Sequence, residues 1–93
     1  MNTQILSECV SIVKDLMGHE PLFFDEAVEV KTSPHTYPFV MWAVCVSPKD
    51  ELYLMDGEQQ WHLLEPTDNN AALVVGSLYQ RLHLIRIQYA KAS

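Results

Sequence analysis

Ninety-three residues with 48% hydrophobic content make one domain with a modest core, expected to span residues 1–93. No stretch approaches the roughly 20 apolar residues of a membrane span. A net charge of −6, with the six bases scattered from Lys14 to Lys91, offers no basic stripe for DNA or RNA.

The first segment carries two interleaved apolar stripes, Ile5-Cys9-Ile12-Leu16 and Leu6-Val10-Val13-Met17. Both step by 4, 3, 4, the period of a helix with a wide apolar face. Gly18 stands where a left-handed residue closes such a helix, and Pro21 follows as a stop. A helix from about Thr3 to Met17 is expected. Leu22 to Lys31 then alternates, with Leu22, Phe24, Val28 and Val30 against Asp25, Glu29 and Lys31. That is the pattern of a half-buried strand. Thr32 to Pro38 reads as a loop, stiffened by Pro34 and Pro38.

The next run, about Phe39 to Val46, sets Phe39, Met41, Ala43 and Cys45 against Val40, Trp42, Val44 and Val46. Neither set is polar, so this strand is expected at the centre of the sheet. Ser47-Pro48-Lys49-Asp50 puts proline at the second position of a type I turn. Glu51 to Met55 follows as a strand with Leu52 and Leu54 on one side and Tyr53 and Met55 on the other. Asp56-Gly57 is the signal of a two-residue type I′ hairpin. Gln59 to Leu64 returns, with Trp61 and Leu63 opposite Gln60, His62 and Leu64.

Pro66 to Asn70 is rich in helix-capping types, and Ala71, Val75, Leu78, Leu82, Ile85 and Tyr89 then step 4, 3, 4, 3, 4. Val74, Leu84 and Ile87 widen this seam. Residues Ile85 to Tyr89 also alternate as a strand would, but the helical spacing accounts for the whole segment. The expected fold is therefore α+β, a single domain of α-β-β-β-β-α order, with a four-stranded antiparallel meander and the N- and C-terminal helices packed on it.

Motifs for chemistry are sparse. His19-Glu20 opens like the His-Glu-x-x-His zinc pattern, but Phe23 holds the second histidine's place and Pro21 breaks the helix the motif requires. Val75-Gly76-Ser77-Leu78 lacks the second glycine of a nucleophile elbow and lies mid-helix, where Gly76 would allow close helix packing. The carboxylates Asp50, Glu51, Asp56 and Glu58 fall at turns, where solvation and turn geometry explain them. Cys9 and Cys45 sit among apolar neighbours and read as reduced core residues. No catalytic, cofactor-binding or metal-ligating residue is expected.

The aromatics are the better lead. Trp42, Tyr53 and Trp61 occupy three strands, while His35 and Tyr37 sit on the proline-stiffened loop. Trp and Tyr serve core packing and interface hot spots alike. Two short helices cover one face of a sheet, so Trp42 with Val40, Val44 and Val46 is expected on the open one. The leading expectation is a small non-catalytic protein-interaction module, adaptor- or chaperone-like, acting as a homodimer. Met1-Asn2-Thr3-Gln4 shows no basic stretch of a secretory signal, so a cytoplasmic location is expected. The alternative is a small-molecule-binding or regulatory module with a pocket between sheet and helices or under the 32–38 loop.

Overall fold

The structure is a computed structural model that describes residues 3–30, 40–67 and 71–92. Helix α1 spans Thr3–Met17, followed by strands β1 (Leu22–Glu29), β2 (Val40–Val46), β3 (Leu52–Met55) and β4 (Trp61–Leu63), and helix α2 (Ala71–Ala92). The strands form one antiparallel sheet in the order β1-β2-β3-β4, so the chain is an α+β meander with β2 and β3 inside.

Local chemistry sets the boundaries. Gly18 takes a φ of 64° and its N–H donates to the Lys14 carbonyl (2.8 Å), closing α1. A side chain would strain that conformation, and glycine avoids the cost. α2 remains helical through Ala92, so the alternation at Ile85 to Tyr89 is not used as a strand. The buried seam of Ala71, Val74, Val75, Leu78 and Leu82 fixes the first three turns on the body, and the rest propagates from there.

α1 packs against α2 and β2, and α2 against β1, so both helices lie over the same side of the sheet. The core between them joins Cys9, Ile12 and Val13 of α1 to Leu78 and Leu82 of α2 and to Leu22, Val44 and Leu54 of the strands. Among the described residues no polar or charged side chain is buried. That apolar layer drives folding at roughly 25 cal/mol per Å² removed from water.

The simple alternation expected for β2 fails at one place. β1 and β2 pair as Phe23↔Ala43 and then as Val28↔Met41, five steps of β1 against two of β2. Three extra residues of β1 form a bulge, while Leu22, Phe24, Val28 and Val30 all stay buried. Opposite the bulge β2 changes which of its sides faces in: Val44 and Val46 are in the core, and so is Met41. Val44 and Val46 therefore do not share an open face with Trp42. Arg81 secures the bulge from α2: its Nη1 donates to the Glu26 carbonyl (2.6 Å) and its guanidinium lies 5.7 Å from the Phe24 ring centroid.

Candidate functional site: the outer face of the sheet

Residues directly opposite in neighbouring strands point to the same face. The row Leu22–Val44–Leu54 is buried against the helices. The next row, Phe23–Ala43–Met55–Trp61, therefore crosses all four strands on the outer face. A second outer row is Cys45–Tyr53–Leu63. No element of the described chain covers this side, and Phe23 is 62% exposed and Trp61 41%. Ala43, by contrast, has no exposed surface. Small in the middle and aromatic at both ends, the first row is a shallow trough.

Trp42 adds to it from the part of β2 opposite the bulge and is 40% exposed. With Phe23, Met55, Asp56 and Gln59 it lines a hollow of 260 Å³ beside the β3–β4 turn. Of the sequence candidates, the structure thus brings Trp42, Tyr53 and Trp61 onto one face. His35 and Tyr37 lie outside the described residues. Phe23 and Met55 were not singled out from sequence, although Phe23 sits in phase with Asp25 and so on the polar side of its strand.

The turn beside Trp42 departs from the expected two-residue type I′ form. The Asp56 carbonyl accepts from Gln59 N–H (3.1 Å), Asp56 N–H donates to the Gln60 carbonyl (2.9 Å), and Gln59 carries the positive φ of 65°. Gly57 is not in the left-handed region. This is a three-residue loop, a type I turn followed by one left-handed residue. Asp56 holds it together: Oδ1 accepts from the N–H groups of Glu58 (2.8 Å) and Gln60 (2.9 Å), and Oδ2 accepts from His62 Nε2 (2.7 Å). The His62 bond first and the Gln60 amide second hold the Asp56 carboxyl below its usual pKa against the opposing effect of desolvation, with smaller help from the Glu58 amide and the His62 charge. Both carboxylate oxygens are committed to the turn, so the pair acts as a brace.

Neither thiol is poised as a nucleophile. Burial first, and the nearby Glu8 charge second, push Cys9 up to about 12. Burial also raises Cys45, which is only half-buried and stands on the outer face rather than in the core. Among the described residues no group of three or more His, Cys, Asp or Glu side chains is placed to hold a metal ion. No helix there is long and apolar enough to cross a membrane.

Two further hollows flank Arg81 in the corner between β1 and α2. One of 530 Å³ lies between Val28–Val30 and the first half of α2, and one of 420 Å³ lies between Leu22–Glu26 and its second half. Both are open at the margin; between sheet and helices, Met41, Leu54, Leu78 and Leu82 are fully buried and fill the space. Gly76 opens onto the first hollow, and a Cβ added there meets nothing within 4 Å. It is therefore not needed for packing inside the chain, contrary to the expectation from sequence. No protein-family model matches the chain, and neither a curated protein nor a solved structure matches it.

Proposed function

We propose that this protein is a non-catalytic protein-interaction module that works as a homodimer and offers the outer face of its sheet to a protein partner. The observation that carries the reading is the outer face of the sheet, where the half-buried Cys45, Tyr53, Met55 and Leu63 lie beside the exposed aromatics Phe23, Trp42 and Trp61. Contiguous exposed apolar surface of this kind marks interaction sites on small domains. Tryptophan, tyrosine and phenylalanine supply the large buried areas that hot spots need. The partner's complement is basic: Asp56 and Glu58 of the β3–β4 turn border the first row at its Met55–Trp61 end. A second copy laid on this face would bring the same acids together, so the dimer contact belongs elsewhere on the surface.

The dimer is tested by light scattering across a dilution series. A mass of twice 10.7 kDa that persists on dilution supports it, and a monomer at every concentration removes it. The face is tested by co-purification of the wild type beside the double variant Phe23→Ser and Trp61→Ser. A partner held by the wild type and lost from a folded double variant supports the assignment. A partner retained by both places its binding site off the sheet.

A further inference from the structure

We infer that α2 is the seam of the homodimer, pairing antiparallel with the α2 of a second copy about a two-fold axis at Gln80. The inference rests on the homodimer reading above and names its surface.

α2 has a second apolar face. At 100° per residue, positions 73, 80, 84 and 87 fall within about 60° of one another and opposite Leu78 and Leu82. Leu78 and Leu82 have no exposed surface, whereas Leu73 is 46% exposed, Leu84 56% and Ile87 38%. A helix that is apolar on opposite sides is covered on both in its working state.

The spacing on this face is self-complementary. A two-fold contact sets residue i of one copy against j of the other and j against i. With the axis at Gln80, Leu73 meets the Ile87 of the second copy, and Gly76 meets its Leu84. Nothing lies within 4 Å of the place where a Gly76 Cβ would be, and Leu84 is the most exposed of the three apolar residues. Knob and hole are thus four residues to either side of the axis, and the outer apolar pair seven residues to either side.

Charge favours the same arrangement. α2 holds Arg81, Arg86 and Lys91 and no acid. Glu29 stands on the β1 wall of the 530 Å³ hollow that Leu73 and Gly76 also line. The antiparallel pairing lays the second copy's acid-free C-terminal half, whose Lys91 shares the helix face of Leu73 and Leu84, along the N-terminal half of α2 on the side of Glu29, and it sets the two helix dipoles head to tail. The 22 residues of α2 extend about 33 Å. A helix pair alone lies at the lower end of the roughly 1,200–2,000 Å² of a stable contact, and Glu29, the exposed β1 residue on the wall of the groove, adds to it.

The test places a cysteine on the axis. Gln80→Cys in a Cys45→Ala background faces its own copy, within the roughly 4.4–6.8 Å between Cα atoms that a disulfide spans. It is expected to oxidise to a covalent dimer, while Ser7→Cys on the exposed side of α1 does not. Gly76→Leu fills the hole in the pair but open space in the single chain, and leucine is the better helix former. It is expected to keep the wild-type circular dichroism and to weaken the dimer roughly thirtyfold or more, the effect of losing a hot-spot contact. Leu84→Ser repeats the test from the knob. A wild-type dimer that survives both substitutions, with no cross-link at position 80, overturns the seam and leaves the homodimer standing. A wild-type monomer overturns both.

Discussion

The two tight hairpins of the meander, β2–β3 and β3–β4, share one backbone and differ in the side chain that caps them. In each, a type I turn is followed by a left-handed residue, Asp50 (φ 61°) after Ser47 and Gln59 (φ 65°) after Asp56. The residue that opens the turn caps the amides two and four places on: Ser47 Oγ accepts from Lys49 (3.2 Å) and Glu51 (3.1 Å), as Asp56 Oδ1 does from Glu58 and Gln60. The serine hydroxyl is neutral and spends its proton on Glu51 Oε1 (3.3 Å), whereas the aspartate is charged and takes His62 on its second oxygen. Their surroundings differ as well. The Ser47 turn is tied to the α1 end of the molecule through Lys14–Asp50 (2.9 Å) and His19–Val46 (3.0 Å). The Asp56 turn stands against Trp42 and shapes the open aromatic face. One design of hairpin serves stability at one end of the sheet and a candidate binding surface at the other.

Removing the cap atom is the strongest way to break this equivalence. Ser47→Ala deletes two neutral bonds from amides and the longer bond to Glu51, and is expected to cost about 1 kcal/mol, or roughly 4–8 °C in Tm for a domain of this size. Asp56→Ala deletes two shorter, charge-assisted bonds and the His62 contact, and is expected to lower Tm further than Ser47→Ala. Calorimetry of the two variants in the opposite order would mean that the charge adds nothing.

The pH dependence separates the turns next. Asp56 is held below its ordinary value of 3.8 in the folded chain, so its stabilisation is present above that value and lost as pH falls through the lower, folded one. Asp56→Asn keeps an acceptor for the amides and removes the titration. Its Tm deficit against wild type is expected at neutral pH and should shrink as the solution is acidified below 3.8. Ser47→Ala has no such titration of its own and should keep its deficit. A constant deficit for Asp56→Asn would assign the turn to its amides alone.

Much of this fold was legible because local periodicity and global burial agree. The 4-3-4 stripes of α1, the left-handed Gly18 and the turn signals at Ser47-Pro48 and Asp56-Gly57 all mark elements that the structure contains. What failed depends on a neighbour. The side of β2 that faces the core changes between Met41 and Val44 because three extra residues sit in β1, and no pattern within β2 records them. Alternation within β2 therefore places Val44 and Val46 on the face of Trp42, where the structure does not, and the polar phase of β1 hides Phe23. Arg81 was counted as one of several scattered bases, since its bond to the Glu26 carbonyl spans 55 residues. In the sequence pattern Leu84 and Ile87 widen the core seam, and only burial separates them from it and sets them with Leu73 on a second face.

Gly57 gives the smallest effect and the sharpest test of the turn. In a two-residue type I′ hairpin it would need a positive φ, and alanine there would destabilise by more than about 1 kcal/mol. In the observed turn Gln59 carries that conformation, and a Cβ on Gly57 meets Trp42 Nε1 at 3.5 Å and Cδ1 at 3.9 Å, ordinary contact distances. Gly57→Ala is therefore expected to leave Tm unchanged or raise it slightly, by restricting the unfolded chain. Gln59→Gly is its counterpart, gaining up to about 1 kcal/mol from relief of the left-handed strain. If Gly57→Ala costs stability and Gln59→Gly does not add any, the left-handed residue is at position 57. The turn would then be the shorter one, and Trp42 would lose the wall of its hollow.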